Sequence, residues 1–255
     1  MQAKPDFLNF KVDHMTMLVE SKMYNVAYVM FRVIFGVGPD DLLYEKRKEW
    51  APGEGEQSMT YAVRVGQGNQ ERPEMHNTII AMVHPSEPKN QSSHVREMLR
   101  GHQAAAHWQH IALRTPDLMA FHKHAIERGV NFITPILEDE SEDLIQVFSG
   151  EWFYPGIAPS GVFFEFLQRN PSEDLVKMLN ERNRQSWFRD TTFLGLYGEK
   201  EKEYQSKNVT PFVDAELFEK IFQRVGEKQV WEIDQADMQW AEQTMMAYAK
   251  AKNRV

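Results

Sequence analysis

The pattern of hydrophobic and polar positions predicts the same order of elements in two blocks of the chain. Val12–Leu18 and Trp108–Arg114 are predicted to be short strands, and each contains a histidine. Each strand is followed by a helical pattern that stops at a glycine, over 22–35 before Gly36 and over 116–128 before Gly129. Pro116 suits the first position of a helix, and glycine suits the residue just past a helix end. The shared order predicts two copies of one structural unit.

Both copies also end on an apolar run that is typical of a buried strand. These runs are Ile79–Val83 in the first copy and Phe163–Leu167 in the second. Between the helix and the last strand, each copy has room for two further strands. We expect them near Leu42–Tyr44 and Met59–Val65 in the first copy, and near Asn131–Thr134 and Asp143–Ser149 in the second. The predicted fold class is therefore α+β, with two βαβββ modules that form a curled mixed sheet.

The modules are predicted over about residues 8–85 and 105–170, joined by a linking helix over about 91–101. Together they make a paired domain over residues 1–170. After Arg169 the pattern is helical, at Ser172–Arg184, Asp214–Arg224 and Gln235–Lys252. The Lys- and Glu-rich stretch 199–207 is predicted to be a solvated loop or helix surface. We therefore expect residues 171–255 to be a helical C-terminal extension.

Composition narrows the classes of function. The 255 residues are 42% hydrophobic, enough for one large domain with a smaller extension. A net charge of −8 without a basic stripe disfavours a nucleic-acid partner. The absence of cysteine excludes disulfides, thiolate nucleophiles, Fe–S clusters and cysteine zinc sites. With neither a signal-peptide pattern nor an apolar run of membrane-spanning length, we expect a cytoplasmic protein without a membrane partner.

One carboxylate stands inside an apolar strand. Glu165 shares its strand face with Phe163 and Leu167. An ionised carboxylate is costly to bury in such surroundings, so it must be exposed, paired with a charge or bound to a metal. Unless it is exposed, Glu165 therefore needs a partner from elsewhere in the chain.

The repeat supplies that partner. His14 and His110 occupy equivalent positions of the two modules, and Glu165 is equivalent to Ala81. If the two modules surround a common cavity, these positions converge on two imidazoles, one carboxylate and one side chain that cannot bind metal. Two histidines and one carboxylate leave coordination positions open for a substrate and O₂, whereas a structural site is closed. The sequence thus predicts a catalytic divalent metal at His14, His110 and Glu165.

A histidine within a strand is more often a core or surface residue than a ligand. The repeat favours the metal hypothesis, because two histidines at matching positions need a common cause. The remaining histidines lack such a pairing. His122 and His124 lie two apart on a predicted helix, do not face each other, and are predicted to be surface residues.

Three motifs resemble the metal-site motifs of 4-hydroxyphenylpyruvate dioxygenase and hydroxymandelate synthase, which belong to the vicinal oxygen chelate (glyoxalase/bleomycin-resistance/dioxygenase) superfamily. They are Val12-Asp13-His14, the run Gln109–Asp117, and Phe163–Arg169 with its Phe-Phe-Glu and Gln-Arg pairs. The linking helix near Ser93–Leu99 and the strand Asp143–Phe148 are also similar. The resemblance covers about residues 8–170, the catalytic half of these enzymes.

This resemblance implies an oxidoreductase that holds Fe(II) with His14, His110 and Glu165, although Zn, Mn or Ni could take the same site. It implies O₂ and a small-molecule 2-oxo acid as substrates, with decarboxylation coupled to hydroxylation. A homodimer is compatible with it. The residues implied to line the substrate pocket are Gln109, Gln146 and Phe148, together with Tyr61 and Ser86 at the positions of the family's substrate-contacting serine and asparagine.

The departures from the family leave alternatives open. The family's enzymes carry a further N-terminal domain that these 255 residues do not match, and His94 replaces the glutamine that starts their linking helix. Their C-terminal gate helix has no recognisable counterpart after Arg169. Two other hypotheses therefore stand beside the dioxygenase. One is another metal-dependent vicinal oxygen chelate enzyme, such as a lyase, an isomerase or a ring-cleaving dioxygenase. The other is a non-catalytic small-molecule binding protein of the same fold.

Overall fold

A computed structural model describes residues 4–66, 77–139, 142–154, 156–183 and 193–253. The first module consists of β1 (Lys11–Val19), α1 (Ser21–Ile34), β2 (Leu42–Glu49), β3 (Glu56–Val65) and β4 (Thr78–Val83). After α2 (His94–Gly101), the second consists of β5 (Ala106–Arg114), α3 (Leu118–Ile126), β6 (Leu137–Asp139), β7 (Leu144–Phe148) and β8 (Phe163–Arg169). The element order βαβββ therefore occurs twice, and the predicted α+β class is confirmed.

In the described part of the chain, four further α-helices follow the second module. They are α4 (Glu173–Asn183), α5 (Phe193–Ser206), α6 (Ala215–Val225) and α7 (Gln235–Ala251). The helices predicted over 172–184, 214–224 and 235–252 correspond to α4, α6 and α7, with Arg184 outside the described residues. Among the helices that the structure describes, none is long and apolar enough to cross a membrane.

The strands form an eight-stranded mixed sheet in the order β2-β3-β4-β1-β5-β8-β7-β6. β1 pairs with β4 in parallel, while β2 with β3 and β3 with β4 pair antiparallel. β7 pairs antiparallel with both β6 and β8. The first and last strands of the order, β2 and β6, are its edges.

The chain divides into two compact units. The first comprises Val12–Leu113 and Lys200–Asn208, and the second comprises Met1–Lys11, Arg114–Glu199 and Val209–Val255. Both units contain sheet and helix. The predicted boundary between a sheet domain ending near residue 170 and a helical extension stays a prediction.

One face of the first unit's strands packs against α1. Val19, Tyr61, Val63 and Met82 form a buried cluster with Tyr24 of the helix. Buried apolar side chains at alternating positions of the strands produce this layer, as period-two patterning requires. Burial raises the pKa of Tyr24, whose hydroxyl lies 2.8 Å from the hydroxyl of Ser58.

The N-terminus of α2 in the same unit is capped by a carboxylate from α5. Glu201 accepts hydrogen bonds from the backbone N–H of His94, at 2.6 Å, and from the hydroxyl of Ser92. Burial by itself raises the pKa of this carboxyl, but the donors at His94 and Ser92 outweigh it and lower the pKa to about 2. The contact satisfies a backbone donor that has no partner within its own helix.

One helix start and one strand predicted for the second unit are wrong. α3 begins at Leu118 rather than Pro116, because the side chain of Asp117 caps the helix by accepting a hydrogen bond from the N–H of Ala120 at 2.9 Å. The strand predicted at 131–134 does not form. Val130 and Phe132 make isolated bridges to Val213 and Ser149, and the strand beside β7 is β6.

The stretch predicted as a solvated loop or helix surface at 199–207 lies largely in α5, and part of it is not solvated. Lys200 is buried and its ammonium lies 2.6 Å from the carboxylate of Glu203. Leu196 and Tyr197, one turn earlier, are also buried. α5 is therefore a packed element of the protein, and the ion pair allows a lysine to be buried within it.

Candidate metal centre

Each module contributes one histidine, which lies within a strand. His14 lies on β1 and His110 on β5, strands that are neighbours in the sheet order. Their ring centroids are 5.6 Å apart and the rings are nearly perpendicular, at 79°. One ligand atom from each of His14, His110 and Glu165 lies within 4.8 Å of those of the other two. Among the described residues, this is the one group of three or more histidine and acidic side chains arranged in this way.

The same nitrogen of both histidines faces an oxygen of the preceding residue. Nδ1 of His14 lies 3.2 Å from Oδ1 of Asp13, and Nδ1 of His110 lies 3.1 Å from Oε1 of Gln109. A carboxylate or amide oxygen accepts hydrogen bonds, so Nδ1 carries the proton in both rings. The Nε2 lone pair is then the one available to a metal, which is how metal-binding histidines are oriented by their outer partners.

Glu165 is 2% exposed, on the strand β8. It pairs in register with Phe148 of β7, and its same-face neighbours Phe163 and Leu167 are fully buried. On the same side, Phe148 and Phe163 form a buried cluster with Leu196 of α5. A buried anion in apolar surroundings binds a cation strongly because water screens it little.

This donor set fits a divalent metal ion. Two imidazole nitrogens and one carboxylate oxygen suit iron, zinc, manganese or nickel. Bonds of about 2.1 Å place the donor atoms of one ion roughly 3–4 Å apart, so ligand atoms within 4.8 Å need only small side-chain rotations to reach it. Three protein ligands leave the remaining coordination positions open.

Ala81, predicted as the position that cannot bind metal, is buried and pairs in register with Thr16 of β1. Thr16 and His14 share a strand face, because they lie two residues apart. Ala81 therefore lies on the face of the first unit that carries His14, and its methyl group supplies no ligand.

Of the residues predicted to line a substrate pocket, Gln146 and Phe148 share the face of Glu165. Phe148 pairs with Glu165, and Gln146 pairs with Leu167, two residues further along β8. Both side chains are buried. Gln109 is buried too, and its amide oxygen faces His110. The geometry gives Gln109 a partner in the metal centre itself.

The structure does not bring Tyr61 to the face of His14. Its ring packs against Tyr24 and Tyr28 of α1, with centroid distances of 4.8 and 5.3 Å.

Thr60 lies on the face of His14 instead, because it pairs with Val83, which pairs with Leu18. Thr60 is 1% exposed, and its hydroxyl has no hydrogen-bond partner among the described residues. Adjacent residues of a strand point to opposite faces of the sheet, so the register that puts Thr60 on the face of His14 puts Tyr61 on the other face.

Ser86 follows the end of β4. Its hydroxyl accepts a hydrogen bond from the indole N–H of Trp50 at 3.2 Å, which ties together two connecting segments of the first unit. No contact of Ser86 with a predicted ligand is found among the described residues.

The prediction that His122 and His124 are surface residues is wrong in part, since both are half-buried. The ring of His122 lies 4.6 Å from that of Phe132. Burial, aided by the charge of Arg182, lowers the pKa of His122 to about 4. Desolvation by burial also lowers the pKa of His124. Both belong to the packing of α3.

Asp13, Thr60 and Leu196 were not predicted for the centre, and Gln109 was predicted to line the substrate pocket rather than to face His110. Asp13 and Gln109 each directly precede a histidine, so an acceptor followed by histidine is a signal that the repeat contained. Thr60 could have been found only from the register of β3. Leu196 could not have been found, because nothing in the sequence connects α5 with the strand face of Glu165.

The chain matches no protein-family model. A search among curated proteins likewise finds no match. Among solved structures, the chain is similar to a mutant of 4-hydroxymandelate synthase from Streptomyces coelicolor, with 18% identity and a TM-score of 0.49. That similarity covers 76% of this chain and 55% of the synthase, so this chain spans about half of the synthase's length.

The chain is also similar to methylmalonyl-CoA epimerases. That of Mycobacterium tuberculosis has 18% identity and a TM-score of 0.41, over 67% of this chain and 94% of the epimerase. That of Streptomyces coelicolor, in complex with 2-nitronate-propionyl-CoA, has 15% identity and a TM-score of 0.40, over 63% of this chain and 98% of the epimerase. At these identities and scores, none of these proteins assigns an activity to the chain.

Proposed function

We propose that this chain is a metal-dependent enzyme of the vicinal oxygen chelate type, and more specifically a non-haem Fe(II)-dependent dioxygenase that acts on a 2-oxo acid. The observation that carries the proposal is the group of His14, His110 and Glu165, whose ligand atoms lie within 4.8 Å of one another. This is the two-histidine, one-carboxylate set that non-haem iron oxygenases use, with open positions for substrate and O₂. The motif resemblance supports the same assignment.

Nε2 of His14, Nε2 of His110 and a carboxylate oxygen of Glu165 would hold the metal. Once bound, Fe(II) supplies a binding site for the oxo acid and the capacity to activate O₂. The remaining chemistry belongs to the side chains of the chain, which bind, orient and exclude water.

Asp13 and Gln109 orient the two imidazoles through Nδ1. Asp13 has a negative charge and Gln109 has none, so the two rings differ in electron donation. A carboxylate partner increases the basicity of its imidazole, which makes His14 the stronger nitrogen donor.

The face of Glu165 provides an apolar wall and one amide. Phe148, Phe163 and Leu196 form a buried cluster that excludes water, and the amide of Gln146 lies on the same face. On the face of His14, Thr60 offers a buried hydroxyl. Apolar walls with a few placed polar groups are typical of sites for small molecules, and the aromatic rings favour an aromatic or apolar substituent on the oxo acid.

The proposed reaction is balanced by one O₂ for each molecule of substrate. The bond between the carboxylate and the oxo carbon breaks, and the carboxylate leaves as CO₂. One oxygen atom of O₂ completes a new carboxylate at the former oxo carbon, and the other becomes a hydroxyl group on the substrate. The two electrons released by oxidative decarboxylation and the two released by hydroxylation reduce O₂ fully.

Metal analysis tests the ligand set. Protein purified without chelators and reconstituted with Fe(II) under anaerobic conditions should bind one metal ion per chain. Glu165→Ala and His110→Ala should lose it. Glu138→Gln and His122→Asn are matched controls, because Glu138 of β6 bonds to Asn180 and His122 packs in α3. Equal metal content in Glu165→Ala and the wild type would refute the assignment.

Oxygen uptake tests the reaction. The iron-loaded protein is incubated with a panel of 2-oxo acids with aromatic, branched and short substituents, while O₂ and CO₂ are measured. We expect equimolar O₂ consumption and CO₂ release with at least one member, with both atoms of ¹⁸O₂ in the product. A metal-binding protein that turns over substrates without O₂ when loaded with Zn, Mn or Ni would instead be a lyase or isomerase. A protein that binds ligands equally well after His14→Ala and Glu165→Ala would be a metal-independent binding protein.

A further inference from the structure

The outer face of α1 is apolar and exposed. At 100° per residue, six side chains fall within an arc of about 140° on this helix. They are Met23, Val26, Val29, Met30, Val33 and Ile34, and Phe35 follows directly at the end of the helix. These seven residues, which we call the α1 face, are 40–78% exposed. The opposite side of the helix is equally apolar, since Tyr24, Ala27, Tyr28 and Phe31 pack on the first unit's strands.

α1 is thus apolar over most of its circumference, which is typical of a helix that is buried on all sides. A helix that merely covers a sheet presents charged and polar residues to water. Here the described structure buries one side only. An exposed apolar patch of this size on a chain that is otherwise ordinary in composition marks an interaction surface.

We propose that the α1 face binds the α1 face of a second copy of this chain, in a two-fold symmetric dimer. The proposal is independent of the metal centre, since it uses none of its residues. It rests on the apolar area of the α1 face, on the charges along α1 and on the fit of the face to its own two-fold copy.

The area matches an interface between two proteins. With the fractional exposures of the seven residues, the face presents roughly 700 Å² of apolar surface, near the ~800 Å² that each partner contributes to a standard specific interface. A single small molecule covers far less. The depletion of charge at the centre and the presence of methionine and phenylalanine are also typical of the core of an interface.

The charges suit a second copy better than a lipid surface. No charged residue lies between Lys22 and Arg32, so the centre of a symmetric pair brings no like charges together. Antiparallel packing sets the N-terminus of one helix beside the C-terminus of the other, which also aligns their dipoles favourably. A membrane-surface helix would carry many lysines and arginines beside its apolar stripe, whereas this chain has a net charge of −8 and only two cations on α1.

Two-fold symmetry requires one patch to complement itself. The valines at 26, 29 and 33 and the methionines at 23 and 30 are spaced at three and four residues along α1, so the ridges of one helix fit the grooves of its symmetry mate. Residues near the two-fold axis then face their own counterparts.

The chain contains no cysteine, so each introduced cysteine is unique. Val26→Cys, Met30→Cys and Val33→Cys are oxidised separately and resolved on a denaturing gel without reductant. A disulfide needs Cα atoms within about 7 Å, so the site nearest the axis should give a cross-linked dimer in high yield. Val230→Cys is the matched control, because Val230 is an equally exposed valine (82%) that lies outside α1.

Sedimentation velocity from about 1 to about 100 µM measures the affinity. The wild type should be dimeric within this range, and Val33→Asp should weaken dimerisation by about 100-fold or more, because it sets two carboxylates into one apolar interface. Val230→Asp should leave the dimer unchanged. Since Val33 is 78% exposed, circular dichroism should show that Val33→Asp is folded.

Three results would overturn the proposal. One is a wild type that remains monomeric throughout the concentration range. Another is a dimer that neither Val26→Asp nor Val33→Asp weakens. The third is a monomer that floats with anionic lipid vesicles and loses this binding in Val33→Asp, which would assign the α1 face to a membrane surface.

Discussion

Removing the outer partner of each histidine should weaken metal binding without changing any ligand. In Asp13→Ala, Nδ1 of His14 loses the carboxylate oxygen that lies 3.2 Å away. In Gln109→Ala, Nδ1 of His110 loses the amide oxygen at 3.1 Å. Each imidazole is then free to rotate or to adopt the other tautomer, in which Nε2 carries the proton and cannot bind a metal.

The magnitudes should differ between the two variants. A hydrogen bond to an ionised group contributes about 1.5–3 kcal/mol, and one between neutral groups about 0.5–1.5 kcal/mol. Both partners are nearly buried, so solvent replaces neither of them fully. We expect the dissociation constant of the metal to rise by about 10–100-fold in Asp13→Ala and by about 3–10-fold in Gln109→Ala. Asp13→Asn, which keeps an acceptor oxygen without the charge, should fall between the wild type and Asp13→Ala.

Competition between the protein and a chromophoric chelator for Fe(II), under anaerobic conditions, measures these constants. Asp117→Ala is the control for general destabilisation, because Asp117 caps α3. That variant should lower the free energy of unfolding by about 1 kcal/mol and leave the metal constant unchanged. The reasoning would be refuted by metal affinities of Asp13→Ala and Gln109→Ala within a factor of about two of the wild type.

Three further outcomes are expected. Thr60→Val should raise KM for the substrate by about 5–10-fold while the metal content stays the same, since a buried hydroxyl donor or acceptor is lost on the face of His14; an unchanged KM would remove Thr60 from the pocket. Gly150→Ala should lower the free energy of unfolding by about 2–3 kcal/mol in urea titrations, because its Cβ would lie 2.2 Å from the carbonyl oxygen of Pro211. Gly101→Ala, whose Cβ meets nothing within 4 Å, should show no such loss. In the folded protein the pKa of His122, about 4, lies below the ordinary value of 6.5. Burial of its neutral form therefore stabilises the folded protein fully above pH 6.5, and this contribution is lost as the pH falls from 6.5 towards 4. The loss amounts to at most about 3 kcal/mol and should disappear from the pH dependence of thermal unfolding in His122→Phe, whereas parallel pH profiles of variant and wild type would contradict it.

The internal repeat made the central part of the candidate metal centre predictable. Matching histidines in matching strands and a carboxylate within an apolar run were sufficient to name three residues, which the structure brings within 4.8 Å of one another. Period-two alternation decided which side chains share a face. These are local properties that one sequence contains.

The sequence did not predict the register of β3 to within one residue. Tyr61 was expected in the pocket, but β3 pairs with β4 so that Thr60 lies on the face of His14. In an apolar strand such as 59–65, both faces are compatible with the composition. The choice depends on the pairing of strands and on the packing of α1, and neither is written in the strand itself.

Tertiary packing also overrode local preference at α5. Gly195 and Gly198 weaken the intrinsic helical tendency, and the charged run after them indicates solvent exposure. The structure nevertheless buries Leu196 and Lys200 in this helix. Contacts with distant segments, which sequence periodicity does not report, stabilise it.

The two edges of the sheet bear on how the chain behaves at high concentration. An unpaired strand edge is a template onto which other chains can add strands and grow into fibres. β2 carries five charged residues in succession from Glu45 to Glu49, and β6 is only three residues long. Charge at one edge and brevity at the other oppose such growth. Association of this chain is therefore expected to stop at a discrete species as its concentration rises, rather than to continue into fibrous aggregates.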